Sequence, residues 1–301
     1  MEVKKVLVLM STYNGEKYIR EQIESIIHQS YPCKLVVRDD GSTDTTIQIL
    51  KEYENKDLLT WYSGNNIGPA KSFFDLIQRA DNADYYALAD QDDVWDLDKI
   101  KAAIIKLKEV NAPKLYFCKR RIVDSQLNVM NITNTLIRKT TPNVVLLEGG
   151  AYGCTMVFDQ KTKKMIEKLQ IHYDGYLHDV FIYRLISMCG TIIYDDNEHI
   201  NYRQHSANVV GHEYTGLKKW IKRFKGLPQR ANNHSRSNCA KELYENYKDI
   251  INTDYSDLLY NVAFAPESVA CRLKLVFKNK LESQYKTKVY ALKIFILFGW
   301  I

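Results

Sequence analysis

What this 301-residue sequence lacks narrows it first. Its six cysteines (Cys33, Cys118, Cys154, Cys189, Cys239 and Cys271) are scattered, and no two stand at metal-ligand spacing. That argues against a zinc module and a disulfide framework, and it fits a reducing compartment, hence the cytoplasm. No apolar run reaches the length of a membrane span. Met1-Glu2-Val3-Lys4-Lys5 leads into a short apolar stretch without the long core of a secretion signal, so none is expected. There are no internal repeats. Acidic residues are sparse in one region: residues 216–301 hold 16 Lys/Arg against 7 Asp/Glu, a net of +9, while the whole chain is +6. The basic character belongs to the C-terminal part and points to an anionic partner there. No recognised nucleic-acid-binding module accompanies the charge, so that partner is not expected to be nucleic acid.

What is present is a globular composition, 46% hydrophobic and 26% charged, long enough for one large domain or a domain with an appendage. Short apolar runs alternate with helical patterns. Lys5–Met10, Leu35–Val37, Leu58–Tyr62, Tyr85–Ala89 and Leu115–Cys118 read as strands. Between them lie helices carrying Tyr18, Ile19, Ile23, Ile26 and Ile27; then Ile47, Leu50 and Tyr53; then Phe73, Phe74 and Ile77 after Pro69. The last carries Leu97, Ile100, Ala103, Ile104 and Leu107. Such β-α repetition predicts a mostly parallel, doubly wound α/β sheet. After residue 125 the regularity falls. Gly153–Phe158, Thr191–Tyr194 and Ile200–Arg203 read as short strands, Asp159–Leu169 and His178–Met188 as helices, and only helices are expected after Thr215.

Polar clusters fall where strands end, the edge at which open α/β sheets bind ligands. Ser11-Thr12-Tyr13-Asn14-Gly15-Glu16 offers hydroxyls, an aromatic face and a helix start; it suits a nucleotide base or phosphate, or it is simply a capped helix. In Asp39-Asp40-Gly41-Ser42-Thr43-Asp44, Ser42 or Asp44 can cap, which leaves Asp39 and Asp40 surplus. Lys71, in the first turn of a helix, is unfavourable for the dipole and better placed facing an anion such as a diphosphate, or it is a solvated lysine. Asp90-Gln91-Asp92-Asp93-Val94-Trp95 sets three carboxylates in four residues. Asp90 and Asp92 can point the same way, which is unfavourable unless a cation lies between them. Asp179 is either a helix cap or a general base, and His205 a metal or phosphate contact or a hydrogen-bonded histidine.

Taken together, in order, these pieces resemble the family 2 glycosyltransferases, inverting enzymes of the GT-A fold, and within them bacterial polysaccharide enzymes described as rhamnosyltransferases. The resemblance rests on Ser11–Gly15, Arg38–Asp44, Asn66–Phe73, Asp90–Trp95, His178-Asp179 and Tyr202–His205 and covers about residues 3–212. It implies a GT-A catalytic domain over 1–214, with a nucleotide-sugar half (1–124) and an acceptor half (125–214), followed by a basic helical region over 215–301. Ser11, Thr12, Tyr13, Glu16, Asp40, Lys71, Asp90 and Gln91 would bind the nucleotide-sugar. Asp92 and His205 would hold Mg²⁺ or Mn²⁺, and Asp179 would be the catalytic base. Asp93 is a near-site helper or the cap of the next helix.

The implied donor is a nucleotide-diphospho-sugar, with dTDP-L-rhamnose favoured and UDP-hexoses the alternative. The acceptor is a glycan or lipid-linked oligosaccharide. A nucleotidyltransferase is disfavoured, since the turn Ser11–Glu16 has one glycine and no arginine. A non-catalytic nucleotide-sugar binder is disfavoured by the retention of Asp92 and Asp179. In the C-terminal part, Leu217, Trp220, Ile221 and Phe224 share a helical face flanked by Lys218, Lys219, Lys222, Arg223 and Lys225. Val289–Ile301 is nearly all apolar but, at about 20 Å of helix, too short to span a bilayer. Residues 216–301 are therefore expected either to lie peripherally on the inner face of the plasma membrane or to pack on the core.

Overall fold

The computed structural model describes residues 3–111, 113–132, 137–169, 176–205, 234–285 and 288–300. The chain divides into two units. The first is Met1–Asn134, Ala151–Lys168 and Gly190–Val209; the second is Thr135–Gly150, Leu169–Cys189 and Val210–Ile301.

The first unit is built on one eight-stranded sheet, ordered β3-β2-β1-β4-β7-β6-β8-β5. Its strands are β1 (Val6–Thr12), β2 (Lys34–Asp39), β3 (Leu59–Ser63), β4 (Tyr85–Asp90), β5 (Val94–Trp95), β6 (Lys114–Val123), β7 (Met156–Asp159) and β8 (Thr191–Arg203). Helices α1 (Ile19–Ile27), α2 (Thr46–Glu54), α3 (Pro69–Arg79) and α4 (Lys99–Leu107) connect the first strands, and α6 (Gln160–Glu167) follows β7. Val6–Met10 is buried on both faces, as a central parallel strand must be. Val8 and Met10 pack with Ile19, Ile23 and Ile26 of α1, Ile49 and Leu50 of α2, and Ile100 and Ile104 of α4 in one core. Four of the seven pairings are parallel, and β7 enters antiparallel between β4 and β6.

Several local expectations change. The two short strands expected at 191–203 are one strand, β8, whose pairing with β6 shifts register between Cys118 and Arg121. Such bulges bend a strand, and their irregular period hides it in the sequence. The two-residue β5 pairs antiparallel with Asn201 and Ile200 of β8. Leu97 lies before the start of α4 and is 63% exposed, while Lys99 is fully buried in its place. On α2 the core position is Ile49, and Ile47 is half-buried.

In the second unit the described elements are helical. They are α5 (Pro142–Val145), α7 (His178–Cys189), and helices Ser235–Tyr247, Thr253–Phe264, Val269–Phe277 and Lys288–Leu297. Phe181 of α7 is buried and packs against Tyr176 and Tyr247, with ring centroids 5.6 and 6.2 Å away. The expected helical face Leu217–Phe224 lies outside the described residues.

Candidate active site

Parallel register aligns the polar strand ends. Thr12 pairs with Asp39, and Ser11 with Asp90, so the ends of β1, β2 and β4 share one edge of the sheet. Gln91, just past β4, clasps the first turn. Its Oε1 accepts from Thr12 Oγ1 (2.5 Å) and from the Tyr13 N–H (2.9 Å), and its Nε2 donates to the Tyr13 carbonyl (3.1 Å). A Cβ at Gly15 would meet Gln91 Oε1 and Thr12 Oγ1, so a larger residue there would push the Gln91 side chain off this turn. Tyr13 itself is 45% exposed, so its ring keeps an open face. Glu16 reaches sideways, accepting from the N–H and hydroxyl of Thr45 (3.0 and 2.7 Å) at the start of α2. Asp44 accepts from the N–H and hydroxyl of Thr46 at the same helix start, one residue before the cap position Thr45, whose own side chain makes no cap bond.

Neither Asp39 nor Asp40 is surplus. Asp39 accepts from the N–H groups of Gly41 (3.2 Å) and Ser42 (3.1 Å) and from Ser63 Oγ (2.9 Å), which fixes the turn after β2. Asp40, 2% exposed, pairs with Arg38 and accepts from the N–H groups of Ile67 (3.0 Å) and Gly68 (2.9 Å). Gly68 has φ +80°, a backbone state that favours glycine, and it leads into Pro69 at the start of α3. Lys71 is exposed on the first turn of α3. The next residue on that helix, Ser72, meets Ser11 Oγ at 2.6 Å and Arg38 Nη1 at 3.0 Å.

The acid turn is answered by the end of β8. His205 Nε2 and Asp92 Oδ2 are 2.7 Å apart, and both side chains are about one-seventh exposed, at 15% and 16%. Tyr18 stacks on the His205 ring at 5.1 Å. Arg203, 1% exposed, spans the site: its Nε donates to the Asp92 carbonyl (2.8 Å), Nη1 to Ser125 O (2.6 Å) and Nη2 to Glu21 (2.6 Å). Its backbone N–H donates to Asp93 Oδ1 (3.1 Å). Asp93 is therefore an anchor inside the protein rather than a helix cap. Burial, reinforced by Asp92 and Asp90, pushes its carboxyl well above the ordinary range. Asp90 is half-buried, and its carbonyl accepts from Gln22 Nε2 at 2.9 Å.

Two donor sets lie here. Oxygens of Asp90 and Asp93 and the sulfur of Cys154 lie within 4.8 Å of one another, but Asp93 and Cys154 are sealed inside. A neutral thiol, its value raised by burial, is also a poor ligand for a hard cation. Asp92 with His205 offers a carboxylate oxygen and an imidazole nitrogen side by side at a partly open edge. That set suits Mn²⁺, or Mg²⁺ completed by water and phosphate oxygens.

Asp179 belongs to the second unit. It stands in the first turn of α7, 8% exposed, and its Oδ1 accepts from the Val180 N–H at 2.7 Å. Burial depresses the neighbouring His178, against the opposing pull of Asp179. Arg38 and Arg203 stand inside the sequence motifs, and the motifs alone mark neither as a site residue. Arg38 adjoins Asp39 and Asp40 and so carries a local signal; Arg203 has none, because its partners Ser125, Asp92 and Glu21 lie 78 to 182 residues away.

Known proteins resemble this chain in sequence and in fold. Residues 7–158 match the family profile described as glycosyl transferase family 2. The chain is 34% identical over 219 residues to the dTDP-rhamnosyl transferase RfbG of Shigella flexneri, covering 67% of this chain and 73% of that one. It is 30% identical over 148 residues to the poly(ribitol-phosphate) beta-N-acetylglucosaminyltransferase TarS of Staphylococcus aureus, covering 48% of this chain and only 25% of TarS. Among solved structures, residues 1–349 of TarS in complex with UDP-GlcNAc superpose with a TM-score of 0.57 at 19% identity, over 98% of this chain and 87% of that one. The mannosyltransferase PcManGT from Pyrobaculum calidifontis, in complex with GDP-Man and Mn²⁺, gives 0.54 at 16%, over 99% and 86%. The chain belongs to glycosyl transferase family 2. It is a glycosyltransferase of the GT-A fold with a helical C-terminal region.

Proposed function

We propose that this enzyme moves L-rhamnose from dTDP-L-rhamnose, with inversion, to a hydroxyl of a cell-surface polysaccharide or a lipid-linked glycan precursor, at the cytoplasmic side of the membrane. The observation that carries the donor is the 34% identity to a dTDP-rhamnosyl transferase across two thirds of the chain. In this reading the open face of Tyr13 stacks on the base, with Ser11, Thr12, Glu16, Gln91 and Asp40 shaping the pocket, Asp90 facing the ribose and Lys71 the diphosphate. Asp179 takes the acceptor proton as the acceptor oxygen bonds to the anomeric carbon and the bond to the diphosphate breaks. Asp92 and His205 would hold a divalent cation, which would supply positive charge beside the leaving diphosphate.

A second reading, transfer from a UDP-hexose such as UDP-GlcNAc, draws on the TarS similarity over 148 residues. A transfer assay across dTDP-, UDP- and GDP-sugars, with and without a chelator, separates the two. Rhamnose transfer that stops on chelation is expected; transfer from UDP-GlcNAc alone would favour the second reading. Asp179→Asn is expected to abolish transfer while donor binding survives, and near wild-type transfer by that variant would remove Asp179 as the base.

A further inference from the structure

Exposed apolar side chains are not spread evenly over the described residues. Eight of the seventeen large ones fall between Val269 and Trp300, about a tenth of the chain. They form stripes. On the Val269–Phe277 helix, Val269, Leu273 and Phe277 recur at i, i+4 and i+8, while Cys271, Leu275 and Val276 face inward. On the Lys288–Leu297 helix, Tyr290, Ile294 and Leu297 recur at i, i+4 and i+7, with Leu292 and Ile296 buried. Phe298 continues that stripe, and Trp300 stacks on it with ring centroids 4.9 Å apart. The two helices are tied together, since Arg272 Nη1 donates to the Leu297 carbonyl at 3.3 Å.

The charge around these stripes has one sign. Residues 268–301 contain seven Lys/Arg and one acid, Glu282, which is held by Lys139 at 2.8 Å. Lys274 and Lys278 stand exposed beside the first stripe and Lys288 beside the second. Phe, Tyr, Trp and Leu side chains rimmed by lysines match the boundary of an anionic bilayer, with aromatic rings at headgroup depth and ammonium groups among lipid phosphates. Neither helix can span it, because no described helix is long and apolar enough to cross a membrane.

We infer that the exposed face of helices Val269–Phe277 and Lys288–Leu297 is a peripheral docking surface for an anionic phospholipid bilayer. The surface is independent of which sugar the enzyme moves, so its test does not rest on the donor assignment.

The test is flotation of the full chain with vesicles of phosphatidylcholine alone, or of two parts phosphatidylcholine to one part phosphatidylglycerol. The intact chain floats with the anionic vesicles and stays behind with the neutral ones. A Phe277→Ser, Ile294→Ser, Phe298→Ser variant changes only exposed positions, so circular dichroism and donor binding stay unchanged while flotation falls by about tenfold or more. Lys274→Glu, Lys278→Glu, Lys288→Glu removes the preference for phosphatidylglycerol. Equal flotation of the serine variant and the intact chain overturns the inference. So does absence of flotation with a dimer, seen by light scattering, that the serine changes dissociate; the face would then be a contact between copies.

Discussion

Arg38 has four partners and almost no solvent. Its side chain is 4% exposed, pairs with Asp40, and places Nε 3.0 Å from Asp75 Oδ2, Nη1 3.0 Å from Ser72 Oγ and Nη2 3.2 Å from Asn65 O. Through Asp40 it holds the Ile67 and Gly68 N–H groups, and through Ser72 it touches α3, which carries Lys71. A lysine keeps the charge but loses the planar fork that serves four acceptors at once. Arg38→Lys is therefore expected to lower stability by about 2–3 kcal/mol. It should also raise the donor KM by roughly tenfold with a smaller change in kcat, because ground-state binding is what loosens. Urea unfolding and steady-state kinetics check both; an unchanged KM would detach Arg38 from the donor pocket. The motif Asp39–Asp44 is legible in the sequence because its residues are contiguous. The full role of Arg38 is not, because beyond its neighbour Asp40 its partners Asn65, Ser72 and Asp75 arrive from a helix and a loop 27 to 37 residues away.

At the scale of elements, helix α4 shows where sequence reading stops. Its buried positions are Lys99, Ile100, Ala103, Ile104 and Leu107, a regular apolar phase into which a lysine is set. Because lysines are seldom interior, the sequence pattern points to Leu97 as the first core position, yet Leu97 lies outside the helix and faces solvent. The Lys99 ammonium lies 3.2 Å from the Trp95 ring centroid and makes no hydrogen bond among the described residues. Burial pushes its value down from 10.5 to about 8. The folded state thus disfavours the charged amine by on the order of 3 kcal/mol, partly offset by the ring. That penalty is fully present below pH 8. It is relieved as pH rises from 8 to 10.5, where the folded chain has released the proton and the unfolded chain still holds it. Lys99→Met is expected to stabilise the protein by about 1–2 kcal/mol at pH 7, with the gain shrinking towards pH 10. A gain that is absent at pH 7, or constant across that range, would contradict the buried-charge account. The long strands β1, β2 and β4 were legible from their own residues. The two-residue β5 was not, since it exists only through pairing with Ile200 and Asn201, more than 100 residues on.

For the molecule as a whole, the question is which residues fold together. The sequence suggests a catalytic domain ending near 214. Yet residues 135–150 and 169–189 fall in one unit with the C-terminal helices. Within that unit Gln284 is a hub: its Oε1 accepts from the N–H groups of Arg138 (2.8 Å) and Lys139 (3.1 Å), and its Nε2 donates to Lys139 O (2.7 Å). Glu148 accepts from the Ser283 hydroxyl and from the Gln284 N–H at 3.1 Å. Phe181, fully buried on α7, has the Tyr247 ring beside it, two residues after the proposed base Asp179. Removing residues 215–301 strips all of these contacts and bares large apolar side chains, each worth about 2 kcal/mol of burial. A chain ending at 214 is therefore expected to be recovered mostly as aggregate. Any soluble fraction should melt well below the full chain and bind a hydrophobic dye, because α7 has lost its cover. Soluble yield and thermal unfolding of both chains measure this. A truncated chain that stays soluble, melts cooperatively at the full-length temperature and still transfers sugar would show that the catalytic domain closes by itself at 214. The C-terminal helices would then be an appendage rather than the support of the helix that carries Asp179.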